Sequence, residues 1–307
     1  MTIRALGKHY FGDDDVPLTV RRIDERAGLH HEHDLTEVPH DHDFCELVLV
    51  VKGYGMHCVD DGTYPLQAGD VFLIQGFRRH CYKDRHSMVF YNIMYNPEKL
   101  GLPADRLNAI PGYQAMFVLE PAYRRRHQFS SRLHLDRIEL AQAETLARQI
   151  QEECENREPG WEVAAIARLQ ELIVFLARQY SRTGAESGQA LLRVASVIGC
   201  IETDYAKAWT LGKLAEFARM SESSLSHVFK EATGHPPIDY LLRVRIQRAM
   251  ILLREADLPI SIVAGRVGIS DSNYFTRQFR RITGTTPREF RRTGQVGIPA
   301  DAGKSKS

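Results

Sequence analysis

Residues 260–291 read ISIVAGRVGISDSNYFTRQFRRITGTTPREFR, and this stretch decides what the C-terminal third of the chain is. Ile260, Val263 and Ala264 recur at helical spacing, Asp271 is a residue type that caps helix N-termini, and Phe275, Phe279 and Ile282 form one face of the helix it starts. The chain carries the same plan once before. Leu225, Ser226, Phe229, Thr233, Gly234, Pro237 and Tyr240 match Phe275, Thr276, Phe279, Thr283, Gly284, Pro287 and Phe290 fifty positions later. Leu211, Leu214 and Ala215 match Ile260, Val263 and Ala264 at forty-nine, which predicts one extra residue in the second turn. Each copy is therefore helix, short turn, helix.

In the first copy Leu211, Leu214, Ala215 and Ala218 share a helical face, Ser221 caps the next helix, and Leu225, Phe229 and Ala232 are its inner side. That turns Ser223, Ser226, His227 and Lys230 outward, and in the second copy Ser272, Asn273, Thr276, Arg277 and Arg280. All can hydrogen-bond base edges or phosphate; Arg to guanine and Asn to adenine are the favourable bidentate pairings, so Arg277 and Asn273 lead. An arginine-rich helix from Ile238 to Glu255 joins the copies. About eighteen helical residues span ~27 Å against ~34 Å for one turn of DNA, so the two recognition helices fall near one helical turn apart. The predicted partner is double-stranded promoter DNA. The competing reading, two αα-hairpins in a plain bundle, accounts for the helices but not for repeated caps, glycines and prolines.

The segments MSESSLSHVFKEATGHPPIDYLLRVRIQRAMILL (residues 220–253) and 260–291 resemble the AraC/XylS regulators, whose DNA-binding domain has this two-unit plan. The resemblance runs from about Leu191 to Arg292, and the second segment is the family's diagnostic stretch. It implies base contacts at Ser223, Ser226, His227, Ser272, Asn273, Thr276 and Arg277, and RNA polymerase as a further partner. Ile269 departs from the family, which usually has Phe after this glycine, implying a modest repacking.

Charge supports the division. After Leu191 the chain holds 18 Lys+Arg against 11 Asp+Glu, and before it 22 against 28, so a basic module follows an acidic one. No apolar run is long enough for a membrane span, and MTIRALGKHYFGDDD lacks the apolar region of a secretory signal, so a cytoplasmic protein with no membrane partner is expected. Five cysteines with no CxxC pair predict reduced thiols. The ends, Met1 to about Asp15 and Gly294 to Ser307, read as loose.

From about Val16 to Leu119 short β segments alternate with turn signals: CELVLVV, GMHCV, DVFLI and MVFYNIMY, with punctuation at Lys52-Gly53, Asp61-Gly62 and Ala68-Gly69-Asp70. Helical periodicity follows at Ile138, Ala141, Leu146 and Ile150, then at Ile166, Leu169, Leu172, Ile173 and Leu176, broken at Glu158-Pro159-Gly160. The expected class is α+β: a β-barrel or sandwich at 16–135, cupin-like and sensing by resemblance, a helical hairpin at 136–181, a linker at 182–190, and an all-α domain with two helix-turn-helix units at 191–292. The hairpin's apolar face exceeds what one small barrel needs, which points to a homodimer interface or to packing on the barrel.

His40-Asp41-His42, Glu46 and Gly53 make the spacing HxH, three residues, Glu, six residues, Gly. His40, His42 and Glu46 share parity, so on one strand their side chains face the same way, and Gly69-Asp70 opens a strand leading through Gly76 to His80. Three imidazoles and a carboxylate suit a divalent transition metal. The pattern resembles the cupin metal motif, with the second half only partial because Gln75 stands where Pro is usual. The alternative is that these side chains meet an organic effector or are surface and turn residues; His31, His33, His57 and His86 read as solvent-facing or internally satisfied. HDFCELVLVVKGYGMHCVDDGTYPLQAGDVFLI with HCYKD, NIMYNPEKLGL and AIPGY resembles the L-rhamnose-responsive activators of the same family, implying a small sugar effector. The remaining alternatives are a metal-dependent cupin enzyme fused to a DNA-binding module and a nucleoid protein indifferent to sequence.

Overall fold

The computed structural model describes residues 3–11, 16–24, 38–59, 62–76, 78–119, 133–182, 186–255 and 258–293. The chain divides into two compact units, Met1–Ala195 and Ser196–Ser307.

The first unit is built on one curled mixed sheet: β1 (Ile3–Ala5), β2 (Leu18–Asp24), β3 (His40–His42), β4 (Cys45–Val59), β5 (Gly62–Gln67), β6 (Asp70–Gln75), β7 (His80–Tyr95) and β8 (Leu133–His134). The order is β1-β3-β7-β4-β6-β8, with β2 on β7 and β5 on β4. The long antiparallel pair β4 and β7 is the spine. The barrel core is Val48 and Val50 of β4, Phe72 and Ile74 of β6, and Tyr82, Met88 and Phe90 of β7, with Ile23 of β2 and Leu66 of β5.

CELVLVV and GMHCV, expected as two strands around a turn at Lys52-Gly53, are one strand. Gly53 has φ 77°, and the register against β7 shifts between Val50 and Lys52, Lys52 and Tyr54, and Tyr54 and Met56. A β-carbon at Gly53 would lie 2.5 Å from the carbonyl oxygens of His86 and Ser87, so the glycine makes a bulge that bends the strand. A turn and a bulge ask for the same residue type, which is why the sequence alone misassigned it. The N-terminus also corrects an expectation: Ile3–Ala5 is not loose but pairs in parallel with His40–His42, and the Gly7 amide donates to Asp43 Oδ1 at 2.7 Å. A three-residue strand is too short to show a period.

Two long helices lie on the outside of the sheet. Asp136 caps α3 (Arg137–Asn156) in a reciprocal capping box with Glu139. Arg157, in the left-handed region at φ 52°, ends it before α4 (Trp161–Arg182). Shorter segments, α1 (Ala104–Asn108), α2 (Pro111–Tyr113) and a π-turn at Gln114–Leu119, precede them. The buried faces are Ala143, Leu146, Ala147 and Ile150 on α3 and Leu169, Leu172, Ile173 and Leu176 on α4. Since α3 packs on β2, β4 and β7, these buried faces are covered within the chain. Ile138, read as part of that face, is 81% exposed. The expected linker is shorter than read: helix α5 begins at Glu186 and runs to Thr203.

The second unit contains α6 (Leu211–Ala218), α7 (Glu222–Thr233), α8 (Pro237–Glu255), α9 (Ile260–Arg266), α10 (Ser272–Thr283) and α11 (Pro287–Thr293). Its two halves share the bonds that close each recognition helix. Thr233 donates to the carbonyls of Phe229 and His235, and Thr283 to those of Phe279 and Thr285. Gly234 and Gly284 close α7 and α10 with φ 80° and 74°. Phe229 meets Tyr240 edge-on at 5.5 Å, and Phe279 meets Phe290 at 5.7 Å. The extra residue is Ser270: the amides of Met220 and Ile269 both reach back to an alanine carbonyl, Ala215 and Ala264, but Ser221 follows the first directly and Asp271 the second after one more residue.

Candidate nucleic-acid interface and barrel site

Ser221 accepts a hydrogen bond from the Ser224 amide at 3.2 Å and starts α7. Asp271 accepts from Asn273 and Tyr274 at 2.8 and 3.0 Å and starts α10; those two amides hold its carboxyl below the usual range. Leu225 and Phe229 on α7, and Phe275 and Phe279 on α10, are fully buried. With the inner faces pinned, the outer faces are fixed. Ser223, His227 and Lys230 are exposed and Ser226 half-buried; Asn273, Arg277 and Arg280 are exposed and Ser272 and Thr276 half-buried. Beside α10 lies an open concavity of about 690 Å³ lined by Ser272, Asn273, Thr276, Thr286, Arg288 and Arg291, among others. The guanidinium groups of Arg288 and Arg291 in its lining suit a phosphate backbone.

Inside the barrel, His40, His42, Glu46 and His80 are all buried. His40 and His42 lie on β3 and Glu46 on β4, so the shared-strand argument fails: a bend at Asp43-Phe44 separates the strands, and tertiary folding brings the groups together. Ligand atoms of His40, Glu46 and His80 lie within 4.8 Å of one another. His42 stands beside this trio, its Nε2 3.1 Å from Glu46 Oε2, with His80 Nε2 at 3.6 Å from the same oxygen. His42 Nδ1 lies 2.8 Å from the Phe44 carbonyl and His80 Nδ1 3.1 Å from that of Arg78. A carbonyl only accepts, so each Nδ1 donates, and in a neutral ring Nε2 is left with a lone pair facing the carboxylate. Among the described residues, neither Nε2, nor His40 Nδ1, nor Glu46 Oε1 has a hydrogen-bond partner.

Protonating the two Nε2 atoms would turn the short distances into ionic hydrogen bonds; a cation would satisfy all the groups at once. Burial pushes Glu46 up, but the hydrogen bonds and charge that His42 and His80 supply when protonated outweigh it and hold its carboxyl well below the usual range. Burial, with His80 nearby, depresses His40 to about 4, so its ring is neutral at neutral pH. Imidazoles and a carboxylate buried together are a donor set that fits a divalent transition metal.

His57, read as solvent-facing or satisfied, belongs to this interior. It is fully buried, stacked on Tyr82 at 5.2 Å and 5.9 Å from the His80 ring. Odd-numbered like Cys45 and Leu47, it reaches the inner side because the Gly53 bulge inverts the alternation of β4. His86 is exposed and stacks on Tyr54; His31 and His33 lie outside the described residues. All five cysteines are free. No helix among the described residues is long and apolar enough to cross a membrane.

Two capped, outward-facing recognition helices on one scaffold define the class: a helix-turn-helix DNA-binding protein that also carries a barrel domain. Residues 214–293 match the family described as a helix-turn-helix domain, and residues 25–173 match the AraC-like ligand binding domain. The chain is 32% identical over 253 residues to the HTH-type transcriptional activator RhaR of Escherichia coli K12, covering 82% of this chain and 86% of that protein, and equally to its Shigella flexneri counterpart. Solved structures with similar sequence include the C-terminal domain of the response regulator yesN from Fusobacterium nucleatum (35% identity, 31% of this chain, 93% of that one, TM-score 0.30) and the DNA-binding domain of AdpA in complex with a target DNA (28%, 33%, 90%, TM-score 0.32). The chain belongs to the AraC family of transcription regulators. It is thus a DNA-binding regulator with a ligand-binding domain, and the cupin-enzyme alternative falls away.

Proposed function

We propose that this protein activates transcription in the cytoplasm in response to a small sugar, L-rhamnose first among candidates, bound by the domain at 16–135. The observation that carries the reading is the pair of recognition helices with matching buried and exposed positions, in a chain similar over most of its length to proteins named as RhaR activators. Ser223, Ser226 and His227 of α7 and Ser272, Asn273, Thr276 and Arg277 of α10 contact bases, with Arg277 on guanine and Asn273 on adenine. The domain at 191–292 binds promoter DNA and meets RNA polymerase there. The protein acts as a homodimer through the outer side of the hairpin at 136–181, where Ile138 and Val163 stand exposed. Sugar shifts the population toward the activating state by binding it more tightly than the other.

A divalent transition metal held by His40, Glu46 and His80, with His42 beside them, would order the barrel interior and offer a Lewis-acidic contact to a sugar hydroxyl. The unpartnered buried nitrogens and carboxylate oxygen support this assignment. Genomic footprinting with and without L-rhamnose tests the function: protection at discrete promoters that changes with the sugar is expected. Protection without sequence preference would overturn the regulator reading, and discrete protection that ignores L-rhamnose would overturn the effector.

A further inference from the structure

The two repeats agree so closely that the places where they differ carry information. Position 289 in the second copy and position 239 in the first are equivalent acids, fifty residues apart. Glu289 serves its own helix: its Oε2 accepts from the Thr286 amide at 2.9 Å and from the Thr286 and Thr285 hydroxyls at 2.8 and 3.1 Å. The first copy has Pro236 and His235 where the second has Thr286 and Thr285. Proline has neither amide hydrogen nor hydroxyl, so Asp239 is released from that local task.

Asp239 instead reaches across the repeat. Its Oδ1 accepts from Arg281 Nη2 at 2.7 Å, over 42 residues of sequence, while Oδ2 accepts from Arg243 Nε at 2.9 Å. His235 Nδ1 lies 3.6 Å from the same carboxylate. Burial would raise the Asp239 carboxyl, but the hydrogen bonds and charge of Arg243 and Arg281 hold it below the usual range. Arg281 is in the last turn of α10, the second recognition helix; Asp239 is in the first turn of α8, immediately after the first. The residue equivalent to Arg281 in the first copy is Glu231, which cannot pair with Glu289. The tie exists in one direction only.

We infer that the Asp239–Arg281 ion pair sets the separation and pitch between the two recognition helices, and so determines which spacing of adjacent groove segments this regulator accepts. Asp239 is a positioning residue, since no part of it is assigned to DNA. The inference rests on the proposed docking of both helices on one duplex. One base pair inserted between two segments moves the second by ~3.4 Å and about a tenth of a turn around the axis, so a scaffold locked by one ion pair discriminates against it and a loosened one does so less.

The experiment uses the full chain on a footprinted operator and on versions with one base pair added or removed between the two protected segments. The unmodified protein is expected to lose at least tenfold in affinity for the altered spacings. Asp239→Asn is expected to bind a duplex carrying only the α10 segment within about twofold of the unmodified protein, while its penalty for altered spacing shrinks to about threefold or less. Arg281→Gln should shrink the penalty likewise, and the double variant should do no more than either single change, as coupled partners require. An unchanged spacing penalty in Asp239→Asn, effects of the two changes that multiply, or an equal loss on single-segment and full operators would overturn the inference. An unmodified protein with no preferred operator would instead sink the docking model itself.

Discussion

Gly268 and Gly234 share a left-handed backbone, φ 80° at both, but not their surroundings. A β-carbon at Gly234 meets nothing within 4 Å, whereas at Gly268 it would lie 2.4 Å from the Ala206 carbonyl oxygen and 2.8 Å from two more backbone atoms of that residue. Replacing either by alanine imposes the left-handed penalty of about 1–2 kcal/mol. Only Gly268→Ala adds forced displacement of backbone, about 1–3 kcal/mol by analogy with overpacked cores. The expected losses are ~2–5 kcal/mol for Gly268→Ala and ~1–2 kcal/mol for Gly234→Ala. Trp209 lies three residues from Ala206 and donates to the Asp204 carbonyl at 3.1 Å, so it reports on this loop. The chain has one other tryptophan, Trp161, and a Trp161→Phe background isolates the signal. With a urea slope of ~2 kcal/mol per molar, the midpoint should fall by ~1–2.5 M for Gly268→Ala against ~0.5–1 M for Gly234→Ala. Equal shifts would refute the claim that close backbone approach, and not dihedral preference, is what position 268 demands.

Arg277→Ala should cost ~1–3 kcal/mol on the specific operator and relax choice at one base pair; competition binding checks this, and equal weakening on random DNA would deny it base readout. Elemental analysis of the purified protein should find a transition metal that is lost in His80→Ala and Glu46→Gln; metal-free unmodified protein purified without chelator would dispose of the barrel site. Because Asp239 is held below its ordinary range when folded, its contribution is present above the unfolded value near 3.9 and is lost as pH falls through the lower folded one. With the carboxylate partly exposed, that is worth no more than ~1 kcal/mol. The stability gap between the unmodified protein and Asp239→Asn, followed at Trp209, should therefore close on acidification below about pH 4, and a gap that widens would reverse the sign of the argument.

What could be read from the sequence was local or repeated. Ser221 and Asp271 announce their helices because a cap bonds amides two or three residues away, and the inner faces of α7 and α10 follow from period alone. Duplication then converted a common motif into a specific one. What escaped was non-local or depended on a broken alternation. Ile3–Ala5 finds its partner strand 37 residues later, too far for any spacing rule. His57 reads as solvent-facing or internally satisfied, and it reaches the barrel interior past the Gly53 bulge in β4. His40, His42 and Glu46 were expected to share one strand, whereas His40 and His42 lie on β3 and Glu46 on β4. Asp239 and Arg281 meet across 42 residues, and nothing near either names the other.

The one-residue difference between the turns has a further reach. Ser270 gives the second unit a longer entry to its recognition helix, and the two helices offer unlike groups, serine and histidine on one, asparagine and arginine on the other. A single subunit laid on a duplex therefore has a front and a back. Its target has no reason to read the same on both strands, and the direction in which the protein faces along a promoter is written into one chain.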